Sequence, residues 1–215
     1  MVNWGSAGKF ANQYYYSLLN LIILILPIVA YGNPVLRKVA EPITKDHPQL
    51  EKLIDDMWET MYASNGVGLA APQINKDIRL FIIDTVQMFA NLDEKETAEY
   101  PDAPGEKLVF INAQIENLEG DEWLYNEGCL SIPKIREDIY RQEKVTITFL
   151  DEKFEKQSKT FSGLTARVIL HEYDHIEGKL FIDHISAFKR KLMRGKLNDI
   201  SKGKVSVDYK MSFPG

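Results

Sequence analysis

The sequence predicts an α+β fold built from antiparallel strands and a few separate helices. Three observations carry that expectation. Short apolar runs and one alternating run read as strands. Two or three helical segments stand apart from them instead of alternating with them, which argues against a doubly wound sheet. The composition is that of an ordinary globular chain: 215 residues, 45% hydrophobic and 27% charged, with 13 Gly and 9 Pro. Collagen, low-complexity disorder and coiled coil are excluded, and the length suits one domain with a sizeable core.

Taken in order, the first element is the least ordinary. Lys9 precedes the run Leu18 to Leu26, which imitates the charged start and apolar stretch of a signal peptide. With Asn20 inside it and Pro27 after it, the run is too short for a transmembrane helix, and no A-x-A site follows. Three readings stay open: an uncleaved membrane anchor through residues 18–26, a start codon placed too early, or an extra helix packed on the body. The second is taken ahead of the others.

From Pro48 to Ser64, the residues Leu50, Leu53, Ile54, Met57 and Met61 share one helical face, with Asp46 placed to cap its start. Arg79 to Asp84 and Leu108 to Asn112 read as strands. Between them Asn91 to Glu106 holds six acids, one lysine, two prolines and a glycine, the composition of a solvated loop. Val145, Ile147 and Phe149 alternate with Thr146 and Thr148, and a turn at Asp151 to Lys153 returns that strand as a hairpin toward Phe161. Ser162 and Gly178 are placed as cap and stop for a helix from Gly163 to Glu177. A further helix is expected from about Ser186 to Ser201.

Charge is uneven along the chain. The net value is −5, from 26 basic and 31 acidic side chains, which argues against DNA binding by the chain as a whole. Lys189 to Lys204 nevertheless carries seven basic residues against the single acid Asp199, a local +6 that leaves −11 on the remainder. The lone cysteine, Cys129, excludes an internal disulfide and any four-cysteine zinc module.

The strongest chemical signal is His171-Glu172-Tyr173-Asp174-His175. On a helix, histidines four apart lie one above the other on one face, where both rings can bind one metal ion. Glu172 then sits beside the ion, placed to take a proton from an acidified water. The third ligand decides the class. A metzincin protease would place a histidine where Phe181 stands, His184 has the wrong spacing, and Glu177 is too close to serve as a gluzincin ligand. Upstream, Cys129 in Glu127-Gly128-Cys129-Leu130-Ser131 offers a thiolate, a strong ligand for zinc or ferrous iron, and leaves an open position. A third segment, Gly66-Val67-Gly68-Leu69-Ala70-Ala71-Pro72-Gln73, brings small residues that admit close backbone approach and an amide able to face an oxyanion.

These three segments, in this order, resemble the peptide deformylase signatures G-x-G-L-A-A-x-Q, E-G-C-L-S and H-E-x-D-H. Tyr31 to Arg37 and Gly178 to Phe181 agree as well, so the resemblance spans about Ile25 to Lys196. Leu170 stands where many members carry Gln, and the acidic loop and the residues before Leu24 lie outside the pattern. The resemblance implies antiparallel and mixed sheets packed around a central helix carrying H-E-x-x-H, with a C-terminal helix. It divides the chain into an extension over 1–24, one catalytic domain over 25–203 and a tail over 204–215.

The implied activity is removal of the N-formyl group from the starting formylmethionine of newly made proteins. The implied cofactor is one Fe²⁺ held by Cys129, His171 and His175, which Zn²⁺, Ni²⁺ or Co²⁺ can replace. Glu172 would carry the proton, with Gln73 and the backbone N–H of Leu130 on the oxyanion. Val67, Gly68, Glu127 and Arg136 would attend the peptide, and Leu164 and Val168 would line a methionine pocket. Arg167 is placed to pair with Glu127. Implied partners are the N-formylmethionyl nascent chain and the ribosome near its exit tunnel, through the basic C-terminal helix; the protein is expected to be a cytoplasmic monomer. A zinc metalloprotease-like peptidase is the alternative enzyme, and a structural-metal module would need neither Glu172 nor an open position.

Overall fold

The computed structural model describes residues 23–90 and 92–214. Most of the N-terminal extension, including Leu18 to Ile22 of its apolar run, therefore lies outside the described residues. The strands are β1 (Ile28–Val29), β2 (Gly68–Ala70), β3 (Leu80–Asp84), β4 (Lys107–Cys129), β5 (Ile132–Leu150), β6 (Lys156–Ser162) and β7 (Met211–Ser212). The helices are α1 (Leu50–Ala63), α2 (Val86–Phe89), α3 (Glu94–Ala98), α4 (Gly163–Ile176), α5 (Ala187–Leu192) and α6 (Arg194–Ser201). Strands β2 to β6 form one antiparallel sheet in sequence order, and β1 pairs in parallel with β7. This is the expected α+β class.

The continuous apolar run of β3 follows from its having both faces covered. Phe81 and Ile83 pack with Phe110, Phe149, Phe161, Ala166 and Ile169, so this side holds α4. Leu80 and Ile82 pack with Ile54, Met57 and Met61 of α1. The Phe81 and Phe110 rings stack with centroids 4.5 Å apart. In β5, Val145, Ile147 and Phe149 point inward as the alternation requires, with Val145 opposite Phe161. The hairpin turn forms where expected, Asp151 Oδ1 accepting from the N–H groups of Lys153 and Glu155.

Five local expectations are corrected. The strand begun at Leu108 continues to Cys129, because pairing with β5 persists through several bulges. Asp46 does not cap α1: the helix starts behind Gln49 in the left-handed region, and Asp46 sits in the preceding turn closed by His47 N–H on Thr44 O. Nor does Ser162 cap α4. Asp102 of the acidic segment does so, its Oδ2 accepting from Thr165 N–H at 2.7 Å, and that segment also contains α3, so it is not simply a solvated loop.

The last correction concerns the C-terminal helix, which breaks into α5 and α6 at Met193. Met193, Leu197 and Ile200 are buried against the body at helical spacing. No residue of α5 is buried, and Phe188 and Leu192 stand 70% and 71% exposed. At the other end, Leu24 N–H and Leu26 N–H reach Asp56 and Thr60 of α1. Among the described residues no helix is long and apolar enough to cross a membrane.

Candidate active site

Helix α4 packs on β5, β2 and β3, and the site forms where its histidines reach the end of β4. His171 and His175 stand one turn apart with ring centroids separated by 5.1 Å. The β4–β5 pairing slips between Gly128–Arg136 and Cys129–Ile132, and this irregularity turns Cys129 toward the helix. Its Sγ lies 3.3 Å from His175 Nε2. The ligating atoms of Cys129, His171 and His175 all fall within 4.8 Å of one another, so their donor set fits a soft or borderline divalent ion.

Beneath the cluster lies a buried charge network. Glu127, 4% exposed, accepts from Arg141 Nε and Nη2 at 2.7 and 3.0 Å and from Arg167 Nη1 at 3.1 Å. It also bonds His171 Nδ1 at 2.9 Å, which leaves the other ring nitrogen of His171 free for the cluster. Arg141 continues to Asp174 at 2.7 Å, and Asp174 to His184 Nε2 at 2.7 Å. His184 thus belongs to this network and not to the ligand group.

The expected Arg167–Glu127 pair is present. Arg141 was missed, although an arginine at an inward position of the β5 alternation, two residues after buried Ile139, was a readable signal. Burial pushes the Glu127 carboxyl up, but hydrogen bonds from His171 and Arg141 hold it well below its ordinary range.

Glu172 is placed differently. It is 4% exposed, and its Oε2 has no hydrogen-bond partner among the described residues. Its carboxylate lies against the Cα of Gly68, where a Cβ would come within 2.5 Å of Oε1, so only glycine fits there. Burial raises its pKa to about 7, against the lowering pull of His171 and His175. For Cys129, burial raises the thiol pKa but the two histidines outweigh it, and the value falls to about 5. Burial lowers His171, yet hydrogen bonds to Cys129 and Glu127 carry it well above its ordinary value. A thiol whose pKa is pushed down, an imidazole pushed up and a carboxyl pushed up therefore share one buried corner.

A cleft of about 650 Å³ opens on this corner, with Val67, Gly68, Gln73, Cys129, His171 and Glu172 on its surface. Gln73 is held by its Oε1 accepting from Ala70 N–H at 2.8 Å, which aims Nε2 at Cys129 Sγ, 3.6 Å away. Leu130 follows Cys129 on the cleft wall. Arg136 lies at the rim with its guanidinium bonded to Asn126. Val168 also lines the cleft, whereas Leu164 is buried and not among its lining residues.

Comparison with known proteins agrees with this geometry. The family described as polypeptide deformylase matches residues 25–191. A peptide deformylase of Christiangramia forsetii is 54% identical over 191 residues, 89% of this chain and 97% of its own length. That of Flavobacterium johnsoniae is 53% identical over 190 residues, covering 88% and 96%. Among solved structures, a peptide deformylase from Legionella pneumophila superposes with a TM-score of 0.70 at 38% identity, over 84% of this chain and 98% of its own. A Met-Ala-Ser-bound deformylase from Acinetobacter baumannii gives 0.67 at 32% identity, over 76% and 100%.

Proposed function

The chain belongs to the polypeptide deformylase family, and on that premise we propose how the residues of its cleft divide the work. The protein is a hydrolase that removes the N-formyl group from the formylmethionine of new polypeptides, releasing formate. The observation that carries the assignment of roles is the Cys129–His171–His175 cluster with buried Glu172 beside it, its Oε2 without a partner among the described residues.

Cys129, His171 and His175 would hold the metal, with Fe²⁺ the ion proposed and Zn²⁺, Ni²⁺ or Co²⁺ able to use the same donors. When bound, the ion polarises a carbonyl oxygen and lowers the pKa of water. Glu172 takes the proton of the attacking water and returns it to the leaving amine, a task suited to a carboxyl whose pKa lies near neutrality. The Gln73 amide and the Leu130 N–H stabilise the developing oxyanion. Glu127, with both oxygens engaged by Arg141, Arg167 and His171, keeps the His171 ring in the one tautomer the cluster needs.

Strand β2 is at the edge of its sheet, so Val67 and Gly68 can pair with an extended peptide that enters the cleft by its formylated end. Val168 supplies apolar lining for methionine, with Leu164 one turn behind it, and Arg136 stands at the peptide's exit. The exposed cations of α5 and α6, among them Lys191, Arg194 and Lys196, support docking of a cytoplasmic monomer on the ribosome.

The test is release of formate from formyl-Met-Ala-Ser by anaerobically prepared iron enzyme. Formate and Met-Ala-Ser should appear in equal amounts, with activity that decays in air and a nickel form that resists. Cleavage of internal peptide bonds without formate would overturn the reading.

A further inference from the structure

The C-terminal tail passes beside the cleft before it pairs with β1. After α6 the chain turns at Gly203, whose φ of 71° favours glycine, and Phe213 packs over it. Strand β7 then pairs with β1, Ile28 N–H donating to Lys210 O at 2.9 Å and Ala30 N–H to Ser212 O at 2.8 Å. The next residue, Tyr31, donates its N–H to Ser131 O at 2.8 Å, so β1 ties the tail to the turn that carries Cys129.

Between α6 and β7, Ser206, Val207, Asp208 and Tyr209 line the same cleft as Cys129 and Glu172. Tyr209 is half-buried, and its hydroxyl donates to Leu130 O at 2.8 Å. Leu130 is also held by its side chain, which fills the space a Cβ at Gly66 would occupy, 3.0 Å from Cδ1. The residue next to the thiolate is thus fixed at two points. A phenylalanine at 209 would fill the same apolar space, so the hydroxyl acts through the carbonyl it bonds.

We infer that residues 206–209 are the outer wall of the active site: Tyr209 is a positioning residue that orients the Leu130 backbone, and Asp208 faces the substrate beyond its methionine. This rests on the deformylase reading and on Leu130 N–H as an oxyanion donor. Asp208 lines the cleft, is exposed and has no ion pair among the described residues, so no cation of the protein neutralises its charge there. The tail lies C-terminal to residues 25–191, the segment matched by the family.

The experiment uses the full-length, iron-loaded enzyme, and formate release by the wild type reports the deformylase reading separately. Tyr209→Phe should lower kcat on formyl-Met-Ala-Ser about tenfold, as expected for one lost orienting hydrogen bond, with KM within about twofold. Its metal content and melting midpoint should match the wild type. An unchanged kcat would overturn the positioning role, as would a kcat loss that tracks lost metal. Asp208→Lys should shift the kcat/KM ratio of formyl-Met-Lys-Ser to formyl-Met-Glu-Ser about fivefold toward the acidic peptide, the scale of one exposed charge pair. An unchanged ratio would show that the wall does not face the peptide.

Discussion

Charged side chains crowd two regions of this chain, the floor of the cleft and the C-terminal helices, and the two handle charge in opposite ways. Under the cleft, Arg141, Arg167, Glu127 and Asp174 are all buried, and every carboxylate is bonded to a cation. On α5 and α6, Lys191, Arg194 and Lys196 are exposed, and among the described residues none of them has an ion pair. Buried charges are costly to leave unpaired, so the first group is rigid and specifies one arrangement. Exposed charges contribute little to folding, which leaves the second group free for a partner.

The contrast is sharpest at Glu172, a buried carboxylate that among the described residues has neither a bonded cation nor a hydrogen-bond partner for its Oε2. Glu172→Ala should cut formate release by at least ~10²-fold while metal content, measured by plasma mass spectrometry, stays near one per chain. Cys129→Ala should instead lose the metal. If Glu172→Ala kept substantial activity, the distinction between this carboxylate and its paired neighbours would fail.

Arg141→Met removes the cation that Glu127 and Asp174 share. Denaturant unfolding should show a loss of about 3–5 kcal/mol, as for other broken buried pairs. Metal affinity should drop, by up to about 10- to 100-fold, as Glu127 loses one of the two arginines that hold it against His171, which titration with zinc would measure.

The same network sets an acid limit. Glu127 and Asp174 have pKa values held below their ordinary ones by hydrogen bonds and charges, against the opposing effect of burial. Such groups stabilise the fold above the unfolded carboxylate value and lose that contribution as pH falls through the folded one. Stability should therefore decline below about pH 4.5, and less steeply in Arg141→Met. An identical acid profile in both proteins would detach the network from acid unfolding.

The smallest effect on the fold is expected from the other region. Reversing Lys191, Arg194 and Lys196 to glutamate should change stability by no more than about 0.5 kcal/mol per site and leave hydrolysis of formyl-Met-Ala-Ser untouched. Co-sedimentation with bacterial ribosomes should fall, and for the unmodified protein it should weaken steeply with salt. Equal sedimentation of both proteins at low salt would make this face ordinary surface.

Local pattern determined a good deal by itself. The α+β class, the face of α1, the alternation of β5 and the paired histidines of α4 all follow from periods of 2 and 3.6 that need only neighbouring residues. Cys129 could be singled out as the candidate third ligand because every downstream candidate has the wrong spacing. Where distant segments meet was not legible. Asp102 replaced Ser162 as the cap of α4, Arg141 came to hold Glu127, Gly68 proved to be the seat of the Glu172 carboxylate, and Tyr209 returned from the tail to Leu130. The division has one cause. Helix and strand periodicity is a property of local backbone geometry, whereas the partner of a buried polar atom is whichever chemically suitable group the packed core brings within about 3 Å of it, at any sequence separation.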